Sequence, residues 1–580
     1  MNANIARKAL IASAGALVVG GAASAADIFV SENISTSVTW TADNVYRLQN
    51  QIYVLPGASL TIEPGTIVAS IPTTDGSGSL AVCRGAKIYV LGTAANPVIM
   101  TSSNDDFVTW REAANEWGNL TIMGRGYISD SFEPGNTASF SANNVAAMEG
   151  LVASFPGDSR VLYGGGDDDD DSGCISYLSI RYGGRVVGLG NELNGLSLGG
   201  IGRETDIKFV EIMNNVDDGI EIWGGTVNIQ FASIWNIGDD SFDVDQGWRG
   251  KGQFILLVQG YSLDASQGSG VGDNCFEVDG AENSDAQPVT TATIYNATVI
   301  GQPAPGAGDQ GMAFRDNANV QYRNSIFMDL GDAVVKNDNV DGDGSQGYGF
   351  NGTLTWAQRW TTPYNTYSTV NAPANPAQYY TAQTSGRLIE VTGSVFFRNL
   401  DPNAYNEANA RGVFDASNNN VLIPGFDPAN QPIKSITRGP AVTKGGKTML
   451  PVIGLDPRAQ GPATSGAVAA PDDGFFFPVT FRGAFSANTN WLCGWTAAYN
   501  YGFVTTPAAS CGLPNVAGCD APNPNPPGDL NGDGLVNGAD LSILLGDWGT
   551  CPPKGTCLGD INGDGVVNGA DLSILLSNWS

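Results

Sequence analysis

The feature that most constrains this chain is that it repeats itself at an interval of 22 residues. Moved forward by that interval, residues 207–222 fall on residues 229–244. Ile207 meets Ile229, Phe209 meets Phe231, Ile212 meets Ile234 and Asn214 meets Asn236. Asp217 and Asp218 meet Asp239 and Asp240, and Ile220-Glu221-Ile222 meets Phe242-Asp243-Val244. Inside each copy apolar residues alternate, at 207 and 209 and again at 220 and 222, the period of a strand with one buried face. No stretch between the copies is long enough for a crossover helix, so the unit reads strand, turn, strand, turn. A unit this small cannot bury its apolar face alone, whereas stacked copies make one continuous core. The fold class that follows is all-β, a right-handed parallel β-helix (solenoid). Ile207, Phe209, Ile212, Ile220 and Ile222 are expected to point inward and stack on Ile229, Phe231, Ile234, Phe242 and Val244.

Composition narrows the function. Acidic residues outnumber basic ones 58 to 28, a net charge of −30. Nucleic acid and anionic membrane surfaces need clustered Lys and Arg, so neither is an expected partner. Calcium is. The chain contains no histidine, which removes His-ligated zinc, Ser-His-Asp triads and imidazole proton shuttles. Any catalysis must use carboxylates, Lys, Arg or Tyr.

In chain order, Met1–Ala25 reads as a secretory signal: Arg7 and Lys8, an apolar run over 9–22, and the small-x-small site Ala23-Ser24-Ala25. No later segment is apolar enough to span a bilayer. A secreted, extracellular or cell-surface location follows, where disulfides persist. Residues 26–505 are expected to form the β-helix domain, with loop insertions at 132–159 and 337–381 and a loop-rich stretch over 400–470. The run Asp167–Asp171 is either a solvated loop or a site. Residues 506–527 form a Pro/Asn-rich linker. Cys551 and Cys557 flank Pro552-Pro553 and are expected to pair; two of Cys493, Cys511 and Cys519 could pair; Cys83, Cys174 and Cys275 are expected to be simply buried.

Residues 528–580 repeat internally: GDLNGDGLVNGADLSILL (528–545) returns as GDINGDGVVNGADLSILL (559–576). Each copy has the oxygen spacing of an EF-hand-type calcium loop. Asp529, Asn531 and Asp533 supply positions 1, 3 and 5, Gly534 the turn, Leu535 a carbonyl at 7, Asn537 position 9 and Asp540 position 12. In the second loop Asp560, Asn562, Asp564, Gly565, Val566, Asn568 and Asp571 take the same roles. Leu541/Leu544/Leu545/Trp548 and Leu572/Leu575/Leu576/Trp579 follow at helical spacing. One loop with one helix, duplicated behind a Pro-rich linker, resembles a dockerin of type I. That resemblance implies two calcium ions and a cohesin-like partner. Loop positions 10 and 11, which help set partner choice in dockerins, are Gly538-Ala539 and Gly569-Ala570, in place of the polar or β-branched residues often seen there.

A second carboxylate constellation lies on the solenoid. The 22-residue register puts Asp218 beside Asp240 and Glu221 beside Asp243, with backbones about 4.8 Å apart. Like charges that close repel by about 1 kcal/mol in water and several at an effective dielectric near 20. Divergent rotamers, raised pKa values, Arg249 and Lys251, or a further calcium ion could relieve this. Asp218, Asp239 and Asp240 are the candidate catalytic residues. NVDDG followed by GDDSF resembles acidic motifs of polygalacturonase-type glycoside hydrolases, which add a His motif that this chain lacks. The competing reading is that these Asp and Asn side chains cap turns by bonding backbone amides.

VYRLQNQIYVLPGASLTIEPGTIV, GAKIYVLGTAANPVIMTSS, DDGIEIWGGTVNIQ and GFFFPVTFRGAFSANTNWLCGWT resemble a family of large secreted bacterial β-helix proteins. The resemblance covers about residues 27–505 and implies fold and secretion, with no defined activity. The expectation is a secreted β-helix protein that binds carbohydrate and attaches through its tail. The alternative is a polysaccharide lyase or glycoside hydrolase acting on plant or algal polysaccharide. A lyase would need a Lys or Arg base, for which Arg249 and Lys251 are the candidates.

Overall fold

The structure, a computed structural model, describes residues 25–72, 78–130, 140–151, 157–188, 191–261, 272–281, 286–303, 310–315, 318–337, 354, 356–365, 372–379, 385–399, 413, 416–423, 425, 427–444, 447–519, 527–531, 536–551, 557–562 and 565–579. The proposed signal thus lies outside the described residues, apart from Ala25. The chain forms two compact units, Met1–Cys519 and Asp520–Ser580.

The first unit is a parallel β-helix. One face is a nine-stranded sheet that takes one strand from each coil in turn, from Gln51–Val54 to Val335–Asn337. Most of the other strands join a larger sheet, and the 22-residue register holds in both. Ile207 pairs with Ile229, Ile212 with Ile234, Ile220 with Phe242 and Ile222 with Val244. The preceding coil sits 32 residues back, with Ile175 on Ile207 and Ile180 on Ile212. These residues belong to one continuous interior core.

Phe209 departs from the expected inward direction. Its φ is +57°, and the residues at the same place in neighbouring coils share the left-handed conformation: Tyr177 (+49°), Phe231 (+57°) and Phe254 (+61°). A left-handed residue interrupts the alternation, so Val210 turns into the core and Phe209 turns out. The rings still stack in register, with centroids 4.3 Å apart for Tyr177–Phe209, 4.5 Å for Phe209–Phe231 and 4.9 Å for Phe231–Phe254. They do so outside the barrel.

That outer stack is covered by the end of the first unit. Trp495 meets Tyr177 edge-on at 5.6 Å, and Trp491 meets Phe231 likewise at 5.6 Å. The covering segment is bonded to successive coils. Gln253 Nε2 donates to the Phe477 carbonyl (3.0 Å) and its Oε1 accepts the Phe477 N–H (2.8 Å). Gln230 Nε2 donates to the Phe475 carbonyl at 2.7 Å. The buried Glu211 carboxylate accepts the N–H groups of Ala497 and Ala498 and the Ser179 hydroxyl. Cys174 is half-buried, against expectation, and is disulfide-bonded to Cys519, and Cys493 to Cys511. Cys83 and Cys275 are buried free thiols.

The stretch 400–470 also holds more regular structure than its composition suggests. Ile433–Arg438 pairs antiparallel with Val452–Ala459, and Val442–Lys444 with Lys447–Met449. In the first insertion Ala146–Ala147 pairs with Leu162–Tyr163, and Met148, Leu151 and Tyr163 pack in a cluster with Trp223 on the outer side of the nine-stranded sheet. Most of the second insertion lies outside the described residues.

The second unit contains two nine-residue helices, Gly538–Gly546 and Gly569–Ser577. Asn537 and Asn568 cap them, each in a capping box with Asp540 or Asp571. Val536, Leu544, Val567 and Leu575 form the small core, and Cys551–Cys557 is bonded as expected.

Candidate functional site

The acidic line on the solenoid occupies the turn that leads each coil into the nine-stranded sheet. There the side chain of one coil accepts the backbone N–H of the next. Asn194 Oδ1 accepts the Asp218 N–H (3.2 Å), Asp218 Oδ1 the Asp240 N–H (2.8 Å), and Asp240 Oδ1 the Asn274 N–H. Coils touch closely at this turn: a Cβ on Gly219 would lie 2.4 Å from the Ser241 carbonyl oxygen. Turn capping thus accounts for one oxygen of Asp218 and one of Asp240.

Other carboxylate oxygens gather beside this ladder. Glu221 and Asp243 are cross-coil partners on the outward side of the sheet, and Glu277 takes the corresponding place one coil on. Three groups hold carboxylate oxygens within 4.8 Å of one another: Asp217, Asp218 and Asp239; Asp218, Glu221 and Asp243; and Asp239, Asp240 and Asp273. All three candidate catalytic residues are therefore brought together, with four further acids, Asp217, Glu221, Asp243 and Asp273, around them. Glu149 and Glu192, from the first insertion and the hairpin after it, add more negative charge.

Burial is the largest influence on Asp217, Asp218, Glu221, Asp240 and Asp243 and pushes their carboxyls well above the usual range; neighbouring charge pushes further. Asp239 acts on Asp217, Asp243 on Asp218, Glu149 on Glu221, and Glu277 on both Asp240 and Asp243. Arg315 is a cation in contact with this region, paired to Glu277 and lying 3.5 Å from Asp279. The charge of Asp279, ahead of burial, holds its guanidinium firmly protonated.

The two candidate bases lie elsewhere. Arg249 is buried and bonded to the Asp168 carboxylate and to the carbonyls of Tyr127 and Gly247. Lys251 pairs with Asp473 at 2.7 Å. The run Asp167–Asp171 is likewise engaged in structure: Asp168 with Arg249, Asp169 with Arg203 and Asp171 with Lys87, while Asp170 accepts the Ser172 hydroxyl. Sequence reasoning passed over Asp273, Glu277 and Arg315. A signal was present, because DNCFEV (273–278) is a further copy of DDSFDV (239–244).

The C-terminal loops handle acid differently. Asp540 Oδ1 accepts the N–H groups of Leu530 (2.8 Å) and Asn531 (3.1 Å), and Oδ2 that of Asn537 (2.9 Å). Asp571 repeats this with Ile561, Asn562 and Asn568. Burial raises both carboxyls, but the three amides outweigh it and hold each below the usual range. Asp560 Oδ2 accepts the Gly565 N–H at 2.8 Å, and the Val566 carbonyl accepts from Asn568 Nδ2 at 3.0 Å. The oxygens of Asn537 and Asn568 serve as helix caps. Asp533, Gly534, Leu535 and Asp564 lie outside the described residues. Position 12 is thus held against positions 2 and 3, and the side-chain oxygens of Asp529, Asn531, Asp560 and Asn562 are hard donors of the kind calcium takes.

Among the described residues no helix is long and apolar enough to cross a membrane. Comparison with known families gives two matches: a pectate-lyase-like beta helix domain over residues 32–386 and a dockerin type I domain over residues 527–578. Dockerin type I domains bind calcium, dockerin domains bind cohesins, and dockerin-bearing proteins are typically secreted. Neither the curated proteins nor the solved structures contain a match to this chain.

Proposed function

The chain belongs to the pectate-lyase-like β-helix family, and from that premise we propose that it is an extracellular carbohydrate-binding protein displayed through a cohesin-docking tail. In this reading residues 1–25 direct export and 26–505 form the carbohydrate-facing domain. Residues 506–527 are a spacer, and 528–580 bind two calcium ions and the partner.

The observation that carries the reading is the convergence of Asp217, Asp218, Glu221, Asp239, Asp240, Asp243 and Asp273 from successive coils. So many carboxyls, with Asp217, Asp218, Glu221, Asp240 and Asp243 pushed up by burial and by their neighbours, are relieved together by a divalent cation with oxygen ligands. Bound calcium supplies a positive centre on which a second carboxylate, one from outside the protein, can be coordinated. The ligand class is therefore a polysaccharide carrying carboxylated sugars. Asp218 and Asp240 keep one oxygen on the turn ladder and can offer the other, while Glu221, Asp243 and Glu277 set the charge on the outward side. Arg315 adds a fixed cation for a ligand carboxylate.

Full-length protein retained on polygalacturonate in calcium, released by chelator and indifferent to neutral glucan is the expected outcome. Asp243→Asn should weaken retention about tenfold, roughly 1.4 kcal/mol. Retention that ignores chelator, or equal retention on neutral glucan, overturns the reading. The same incubation tests the enzymatic alternative, in which Asp218, Asp239 and Asp240 act on the polymer. Burial pushes the carboxyls of Asp218 and Asp240 upward, in the direction a general acid requires. New chain ends appearing in the polymer, and failing to appear with Asp239→Asn, would favour that alternative.

A further inference from the structure

We propose that the Cys174–Cys519 disulfide is a mechanical tether, through which tension arriving from the C-terminal module enters the stacked sheet directly. The function this serves rests on the reading that the module anchors the protein; the tether itself follows from the fold. The chain leaves the first unit at Cys519. Its bonded partner opens the strand Gly173–Gly183, which is paired on both sides. Lys87–Leu91 and Val98–Ser102 flank it on one side and Asp206–Asn215 on the other. Cys174 therefore sits on an interior strand of the stack.

What the disulfide bypasses is poorly built to resist pulling. Of residues 505–519 only Thr506 is buried, and eight are exposed. Segments with few buried apolar contacts open at little cost. Upstream, the covering segment meets the coils one after another, through Glu211, Gln230, Gln253 and Asn324. Tension applied to its free end would break such contacts in sequence, as a zipper opens. Tension applied at Cys174 must shear whole parallel ladders at once. Cys493–Cys511 closes only a short loop within the bypassed chain, whereas Cys174–Cys519 spans a sequence separation of 345 residues.

The test is single-molecule stretching of the full chain in calcium, with handles at residue 26 and beyond residue 580. Oxidised protein should release a contour length roughly 1,100–1,200 Å shorter than Cys519→Ser, since extended chain spans about 3.3–3.6 Å per residue. Its first rupture should also need more force. A folded wild-type sample treated with a dithiol, which becomes a cyclic disulfide as the two protein thiols form, provides the same comparison if the variant fails to fold. Equal contour lengths in the oxidised and Cys174–Cys519-free proteins overturn the proposal, as does release of the bypassed segment from oxidised protein at the variant's force. Stretching through handles uses neither cohesin nor polysaccharide. Failure of the proposed function and failure of the tether are therefore read separately.

Discussion

The solenoid row and the C-terminal loops are built from the same side chains and treat them in opposite ways. In the loops each position-12 carboxylate is buried but receives three backbone N–H groups, and its pKa falls. On the row, Asp218 and Asp240 each receive one, while their other neighbours include more acids, and their pKa values rise. In the loops three amides outweigh burial, while on the row burial and neighbouring acids outweigh a single amide. The loops are thus ionised sites that need a cation to close around, whereas the row can hold together in acid by keeping protons.

The largest test of that contrast is calcium removal. The isolated segment 524–580 should be largely unstructured in chelator and gain helix with calcium, read by circular dichroism. At a thousandfold excess over Kd the ion contributes about 4 kcal/mol per site. Asp540→Ala should abolish one calorimetric binding event and leave the second near normal. A helical signal that ignores calcium breaks the comparison at its loop end.

The pH dependence of the first unit comes next. Row carboxyls with raised folded-state pKa values bind more protons folded than unfolded, so without calcium their contribution to stability falls as pH rises through and above the ordinary carboxylate range. In chelator the melting temperature of the β-helix should decline from about pH 5 to pH 7, and calcium should flatten the decline. A melting temperature that climbs over that range would place the row's acids among ordinary paired carboxylates.

Smaller effects sharpen the picture residue by residue. Asp218→Ala leaves the buried Asp240 N–H without its acceptor and should cost about 1–3 kcal/mol in chelator. Asp218→Asn keeps an acceptor and removes a charge, so it should match or exceed wild type there. Both can be read from denaturant midpoints. If the two variants are equally destabilised, the ladder is not what holds the turn. Asn537→Ala should cost about 1 kcal/mol of helix-cap energy, confined to the melting of the C-terminal unit.

The repeat itself was legible because coil stacking demands identical apolar positions: Ile207, Ile212, Ile220 and Ile222 all find their partners 22 residues on. Phe209 was misjudged because alternation assumes an unbroken strand, and a single left-handed residue shifts the pattern by one. Val210 beside it carried the correct signal. The covering segment was hidden for another reason. Trp491, Trp495 and Phe477 show no period of their own, because their contacts follow the spacing of coils far away in sequence. Cys174–Cys519 is likewise set by tertiary distance alone. For the site, the doubled Asp pairs were readable, but the acids that complete the groups, Asp273 and Glu277, arrive after a longer insertion that obscures the repeat. The spacing of the loops was readable because all their oxygens are local in sequence.

The ladder Asn194–Asp218–Asp240–Asn274 also makes the row a grating. Each side chain grips the amide of the next coil, so the acids cannot drift from the coil spacing of about 4.8 Å. A flexible cluster adapts to its ligand; a grating imposes its own phase. A bound polymer whose charged units recur at a commensurate interval stays in step along the row. One that is off by roughly a tenth per coil falls half a period behind within about five coils on that spacing. Selectivity would then be set by wavelength, and would sharpen with polymer length.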